Sequence, residues 1–292
     1  PALICDLVDW ARTCGFPVVA AGRGHKWQAH FCESTPDTVW DNWGLTREQA
    51  MRGGLNPKMF NSFLDGSKPS IESTAVSNAC GLAVPSDGLL FPSAAIDQIP
   101  NITRPRDEGG TLERKGMVEV VNALDPQGRP IDYEIRMGVW VTVEGETQYI
   151  RNCFEEYNAR TDDSGRYFTL YKRWHLIGLE VGVSVASVAM RGEPTGVATG
   201  WNADVVATAK RDLQPGELLD GEGGYTVWGK LLPASTSVRL GGLPLGLAHD
   251  VKVVRPVKKG QSLSWSDVAM DTSSHAYRIR RQMEDAFAPA LR

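Results

Sequence analysis

Phe16-Pro17-Val18-Val19-Ala20-Ala21-Gly22-Arg23-Gly24-His25-Lys26 is the stretch on which the reading of this chain turns. A short apolar, partly β-branched run breaks off at glycines and basic residues, the pattern of a buried strand that ends in a ligand-facing loop of an open α/β sheet. Upstream, Ala2 to Thr13 sets Leu3, Ile4, Leu7, Val8 and Ala11 at helical spacing, and Gly15 stands where a helix closes. Helix, strand and Gly-rich loop in that order are the last part of a doubly wound domain, so the chain is expected to be a piece of a longer polypeptide. No G-x-G-x-x-G follows a strand, which puts the pyrophosphate cradle of a dinucleotide site outside these residues.

Downstream, Ser34-Thr35-Pro36-Asp37 reads as a turn or helix start, and Ser67-Lys68-Pro69 opens a helix that runs to Cys80 and closes at Gly81. Residues 84 to 115, rich in Pro and Gly, read as an ordered surface loop. Val118 to Leu124 and Gly138 to Glu144 read as two strands joined through the turn residues Asp125-Pro126-Gln127-Gly128. Leu176 to Met190 reads as a buried helix, too short and too interrupted by Glu180 for a bilayer span. From about residue 203 the pattern changes to closely spaced short strands, Asp204 to Ala209 and Val251 to Val254, with turns at Leu213–Glu217 and Lys258-Lys259-Gly260. A small β domain is expected there.

Composition narrows the function classes. With 31 Lys+Arg against 35 Asp+Glu, the 292 residues lack the basic stripe that duplex binding needs, and the nine tryptophans are scattered rather than interleaved with cations. Nucleic acid and membrane are therefore set aside as partners, and no export signal precedes the first helix. Five cysteines, Cys5, Cys14, Cys32, Cys80 and Cys153, show no C-x-x-C spacing. Neither a disulfide framework nor a zinc site is expected, a reducing cytosol fits, and Cys5, Cys14, Cys80 and Cys153 read as small buried residues.

Three clusters carry possible chemistry, each beside a plainer reading. Arg23, His25 and Lys26 bind an anion or form a solvated loop. Asp65 and Lys68, three apart, share a helix face and protonate a carbonyl oxygen, or make a surface ion pair. His175, with Arg173 before it and Glu180 after it, serves as donor or acid at a helix start, or caps and packs.

Taken together, Val18 to Gly24, Ser34 to Trp40, Asn56 to Lys68, Lys115 to Val121 and His175-Leu176-Ile177-Gly178-Leu179-Glu180 resemble the homoserine dehydrogenase-like oxidoreductases that end in an SAF domain. That group includes the 1-deoxy-D-xylulose 5-phosphate reductoisomerase-like enzymes of isoprenoid precursor synthesis. The tail, Val205 to Glu217 and Lys259 to Val268, is similar to the SAF, β-clip-like pattern. The resemblance implies an α/β and α+β protein. Residues 1–30 would end a Rossmann nucleotide-binding domain, 31–200 form an α+β substrate and dimerisation domain, 203–270 the SAF domain, and 271–292 a C-terminal helix.

It also implies a cytoplasmic homo-oligomer, dimer or tetramer, in amino-acid or isoprenoid metabolism. NAD(P) would be held mostly by a domain that these residues lack, with contacts from Gly22, Arg23 and Gly24. The SAF-bearing group usually has Gly-Lys where this chain has Gly22-Arg23, and an arginine holds an anion without giving up its proton. Lys68 then becomes the residue that polarises the reacting oxygen of a small hydroxy or oxo substrate. Asp65 orients it, His175 acts as acid or base, and Asn56, Lys58, Lys115 and Arg173 bind the substrate. No metal is implied. The rival reading is a non-catalytic module whose SAF domain holds a polyol, a sugar acid or a partner chain.

Overall fold

A computed structural model describes residues 1–291. Along the chain the elements are α1 (Ala2–Thr13), β1 (Val18–His25), α2 (Val39–Trp43), α3 (Arg47–Arg52), α4 (Pro57–Leu64), α5 (Ser67–Cys80) and α6 (Ile99–Ile102). β2 (Met117–Asn122), β3 (Val139–Glu144), α7 (Gln148–Glu156), β4 (Tyr167–Lys172) and α8 (Val181–Ala186) follow. The chain then runs through β5 (Ala203–Ala209), β6 (Leu218–Asp220), β7 (Val227–Pro233), α9 (Ala234–Leu240), β8 (His249–Val253), β9 (Val268–Ala269) and α10 (His275–Leu291).

These elements fall into two compact units. One comprises Pro1–Gln28, Ala75–Pro85 and Leu89–Asn202; the other comprises Ala29–Thr74, Ser86–Gly88 and the described residues from Ala203 onward. The stretch expected as a single block over 31–200 is thus divided, and its first part, with Asp65 and Lys68, groups with the β-rich tail. No described helix is long and apolar enough to cross a membrane.

The first unit is built on a mixed four-stranded sheet in the order β2-β1-β3-β4. β1 runs parallel to β2 and antiparallel to β3, and β4 pairs antiparallel with β3. β2 and β3 are therefore not partners, as their apolar runs and intervening turn suggested; β1 lies between them. Residues 18–25 and 117–172 share one sheet, where a boundary near residue 30 had implied two. α1 buries Leu3, Ile4, Cys5, Val8 and Ala11 along one face, as its spacing dictates, and Gly15 at φ 81° follows its end. The core around the sheet gathers Ala20, Ile99, Leu112, Met117, Val121, Ile135 and Trp140.

The strand does not stop at Ala21. It continues through His25, and the two glycines are required by crowding: a Cβ on Gly22 would lie 1.8 Å from the Glu119 carbonyl oxygen, and one on Gly24 would lie 1.9 Å from that of Ile135. The expected buried helix from Leu176 to Met190 is also corrected. Only Val181–Ala186 is α-helical, a π turn covers Ser187–Arg191, and Leu179 and Met190 are more than 80% exposed. Apolar composition alone implies burial, yet Leu176, Ile177, Val181, Val183, Val185 and Val188 are exposed as well.

In the second unit β5 and β7 form an antiparallel pair, and β6, β8 and β9 form a three-stranded sheet in the order β6-β8-β9. Both the expected strand at Asp204–Ala209 and the one near Val251 are present. Their core joins Val205, Ala207, Leu213, Leu219, Val227, Leu243, Val253 and Leu263, with Ile71 of α5 packed against it. The unit is therefore more than a β module, since α4 and the first half of α5 belong to it. α10 is anchored through Arg280, which bonds the buried Asp204 carboxylate at 3.1 Å.

Candidate functional site

The corner between α4 and α5 organises the second unit. Asn56 caps α4 by accepting the Met59 N–H at 3.0 Å, Pro57 takes the first helical position, and Gly66 at φ 90° turns the chain into α5. That turn separates Asp65 from Lys68. Asp65 lies at the end of α4 and Lys68 in the first turn of α5, so the shared helix face implied by their spacing does not exist.

Asp65 points inward. One of its carboxylate oxygens accepts the Ser67 N–H at 2.9 Å, and the other lies 2.8 Å from Lys210 Nζ, with both side chains buried. Lys210 Nζ also donates to the carbonyl oxygens of Ser34 (2.6 Å) and Gly224 (2.7 Å). Asn61 donates to Ser34 O and Gly223 O at 2.8 and 2.9 Å. A buried charge needs an opposite charge or polar partners close by, since desolvation otherwise drives it out, and here the ion pair with Lys210 supplies it for Asp65 Oδ2. Asp65 is thereby a structural anchor and does not orient Lys68.

Lys68 is half-buried and lines a cleft of about 730 Å³ with Asn56, Lys58, Phe63, Glu222 and His249. Among the described residues Lys68 Nζ has no hydrogen-bond or ion-pair partner. Lys58 Nζ donates to the Asp220 carbonyl oxygen at 2.5 Å, and its charge also contributes to holding the Asp220 carboxyl low. The Asp220 carboxylate is occupied elsewhere, accepting the backbone N–H groups of Tyr225 (2.6 Å) and Thr226 (3.0 Å) and the Thr226 hydroxyl. Burial pushes Asp220 up, but those bonds, led by the one from the Thr226 hydroxyl, outweigh it and hold the carboxyl below the usual range.

Two glycines let the loop after β6 close over this cleft. A Cβ on Gly221 (φ 72°) would sit 2.1 Å from the His249 ring, and one on Gly223 (φ 69°) would sit 2.1 Å from Lys58 O. The cleft thus offers two ammonium groups and an imidazole against the single carboxylate of Glu222, an arrangement suited to an anionic molecule carrying a polarisable oxygen.

The remaining sequence candidates lie in the first unit. His175 Nδ1 is 2.6 Å from Glu180 Oε2, and the His175 contact holds Glu180 below the usual carboxylate range. Both residues line a small hollow of about 210 Å³ with Ile177, Val181 and Val183. Lys115 is engaged by Glu144 (2.8 Å) and Glu108 (3.4 Å); burial opposes its charge, yet the Glu144 bond prevails and pushes it up to about 12.

Arg166 joins the same network, donating to Glu144 at 2.6 Å and to Glu108 at 3.2 Å, and the Tyr167 hydroxyl donates to Glu108 at 2.5 Å. Lys115 is thus one member of an ion network with Glu108, Glu144 and Arg166. Arg173 lies over the rings of Tyr133 (4.8 Å) and Trp174 (5.4 Å) and lines a hollow of about 350 Å³ with Arg136.

Gly22, Arg23 and Gly24 are interior to β1. The Gly24 N–H donates to Gly138 O at 3.0 Å, and Arg23 Nε donates to Gly24 O at 3.1 Å. With their backbones in a sheet, these residues do not fit the pyrophosphate of a nicotinamide nucleotide. Among the described residues no cluster of three or more His, Cys, Asp or Glu side chains could hold a metal ion.

Lys210, Asp220 and His249 escaped the sequence reading. The run Gly221-Glu222-Gly223-Gly224 was a legible turn signal, and a lysine ending the apolar strand Val205–Ala209 was a legible oddity. Neither names its partner, because each partner lies far away in the sequence.

No curated protein matches the chain. The family model described as oxidoreductase DRL, catalytic domain, matches residues 1–181, a segment that carries β1 to β4, α5, and Asn56, Lys58 and Lys68 of the cleft, whereas Lys210, Asp220 and His249 lie beyond it. Since the match takes in more than half of the residues, the chain belongs to the oxidoreductase DRL family.

Proposed function

We propose that this oxidoreductase interconverts a small anionic hydroxy compound and its oxo counterpart, and that the cleft around Lys68 is the substrate side of the site. The supporting observation is a half-buried ammonium without an internal partner, set beside a second ammonium in a chain of an oxidoreductase family. Lys58 and the free amide N–H groups of Asn56 hold the negative group of the substrate. Lys68 donates to the reacting oxygen and stabilises the negative charge that grows there as the carbonyl is reduced. In the opposite direction the same contact favours the alkoxide-like form of the alcohol. His249, on the far side of the Gly221 turn, is placed to relay a proton.

NAD(P), when bound, supplies or accepts the hydride. Because Gly22, Arg23 and Gly24 do not fit its pyrophosphate, we assign the nucleotide to a dinucleotide-binding domain outside these residues, in keeping with the resemblance. Residues 203–270 are read as the SAF-type part of the second unit, with the loop Gly221–Gly224 contributing to the cleft. The catalytic-domain match favours this enzyme reading over a non-catalytic binding module.

The test is Lys68→Met in the complete enzyme, assayed with NADH and NADPH against a panel of oxo acids and phosphorylated oxo compounds. A loss of kcat/KM by a factor of about 10² to 10³, with an unchanged circular dichroism spectrum, is the expected outcome. Wild-type turnover in the folded variant would remove Lys68 from the reaction.

A further inference from the structure

Two cysteines that the reaction does not use lie side by side in the first unit. Cys5 sits on the buried face of α1 and Cys80 is the last residue of α5; their sulfur atoms are 3.6 Å apart, and both residues are more than 90% buried. We propose that Cys5 and Cys80 form a redox modification site, a pair of adjacent thiols that a peroxide converts to a disulfide. The remaining cysteines are differently placed: Cys14 is exposed, against its reading as a buried residue, and Cys32 and Cys153 are half-buried.

Three features set the pair apart from two small residues packed by chance. The Cys80 thiol donates to Cys5 Sγ, and this bond lowers the Cys5 pKa while raising that of Cys80. The two thiols are thereby made unequal, one biased toward the nucleophilic thiolate and the other kept protonated until it is needed. The cover over Cys5 is thin: a Cβ on Gly196 would stand 3.1 Å from Cys5 Sγ, and Gly196 is itself exposed. At its approach to the sulfur this loop has a glycine, with no side chain to add to the cover. Finally, the loop is held at its far end, where the Thr199 N–H bonds Asn78 O at 2.9 Å and the Asn202 N–H bonds Asn78 Oδ1 at 2.7 Å. Asn78 is two residues from Cys80, so the loop that approaches Cys5 at Gly196 is tied to the helix that carries Cys80.

The chemistry balances with peroxide as the oxidant. The Cys5 thiolate attacks one peroxide oxygen, forming an S–O bond as the O–O bond breaks; the departing hydroxide takes a proton and leaves as water. Cys80 Sγ then attacks the Cys5 sulfur, forming the S–S bond as the S–O bond breaks, and its proton leaves with the second hydroxide as another water. Two thiols lose two electrons in total, and one peroxide becomes two waters. The product ties α1 to the end of α5, the helix whose first turn carries Lys68.

The test uses the full chain, folded, exposed to a small excess of hydrogen peroxide, quenched with an alkylating agent and digested without reduction. Mass spectrometry should find Cys5 and Cys80 peptides joined with the loss of two hydrogens, and the cross-linked protein should melt on the order of 5 °C higher than the reduced one. Cys14→Ser, Cys32→Ser and Cys153→Ser should leave the cross-link intact. In Cys80→Ser the sulfenic acid should collect on Cys5, detectable with dimedone, and in Cys5→Ser the Cys80 thiol should react far more slowly. The proposal is overturned if peroxide oxidises Cys14 or Cys32 without joining Cys5 to Cys80. It is equally overturned if the link forms only in urea, or if Cys80 reacts first.

Discussion

Replacing Lys210 by Met removes the ammonium that holds Asp65 while leaving a side chain of similar length. Asp65 is fully buried and Lys210 2% exposed on the side chain, so the stranded carboxylate has no water to turn to. Breaking a buried pair from one side costs roughly 3 to 5 kcal/mol. The Gly224 carbonyl loses the Lys210 bond as well, whereas the Ser34 carbonyl keeps the one from Asn61. Urea unfolding at neutral pH should therefore show a loss of about 4 kcal/mol in the second unit.

The double variant Asp65→Leu/Lys210→Met removes both charges together and should recover at least half of that loss, because no uncompensated charge remains. Should the single variant fail to fold, the double one still reports. A Lys210→Met protein that unfolds within 1 kcal/mol of wild type and yet has lost turnover would refute the reasoning, and would return Asp65 to the reaction.

Gly22→Ala should destabilise the first unit by more than about 3 kcal/mol or prevent its folding, since its Cβ would overlap the backbone of Glu119; a variant with native melting behaviour would mean that the strand can shift. Lys115→Met should leave KM for substrate within twofold of wild type, with a stability loss of roughly 1 to 2 kcal/mol, because Arg166 still pairs with Glu144; a large rise in KM would show Lys115 on the substrate. Glu119 is fully buried on β2, and desolvation raises its pKa from 4.5 to about 7 against the pull of the Val120, Leu90 and Phe91 N–H groups. Between those two values the folded chain keeps a proton that the unfolded chain has released, so stability is greatest below pH 4.5 as far as this group is concerned. It falls by about 3 kcal/mol as pH rises through 7. Glu119→Gln should flatten that slope in melts recorded at pH 5 and pH 8, and an unchanged slope would assign it to another group.

The elements that sequence disclosed are those set by local period. α1 follows from Leu3, Ile4, Val8 and Ala11, β5 from its β-branched run, and the end of α5 from Gly81 at φ 66°. What failed depends on partners remote in the chain. Gly22 and Gly24 look the same in sequence whether they cradle a phosphate or let two backbones touch, and only the approach of Glu119 and Ile135 decides between them. Val118 and Val139 carry equal strand signals, and nothing local says that β1 lies between them. The stretch from Leu176 to Met190 shows how apolar composition reports what a segment prefers and not what covers it.

The candidate site was half legible for the same reason. Asn56, Lys58 and Lys68 are site residues by what the resemblance implies, and the structure brings them to one cleft. Asp65 was chosen on a spacing that presumes an unbroken helix, although Gly66 between the two residues was itself the sign of a turn.

The displacement of Asp65 has a consequence for Lys68. A carboxylate held within a few ångströms of that ammonium would compete with any anionic substrate for it, and in a half-buried cleft the competition would be strong. By pairing Asp65 with Lys210 inside the unit, the fold satisfies the one acid next to the turn and leaves the Lys68 charge to whatever enters. Lys58 is only partly spared: it bonds a carbonyl oxygen, and the carboxylate of that residue, Asp220, takes its hydrogen bonds from Thr226 and the Tyr225 N–H while still feeling the Lys58 charge. Asp65 and Asp220, which flank the two turns, are thus both held by other partners, which leaves Glu222 as the one carboxylate among the lining residues, and the positive character of the cleft comes as much from where Asp65 and Asp220 are held as from the lysines themselves.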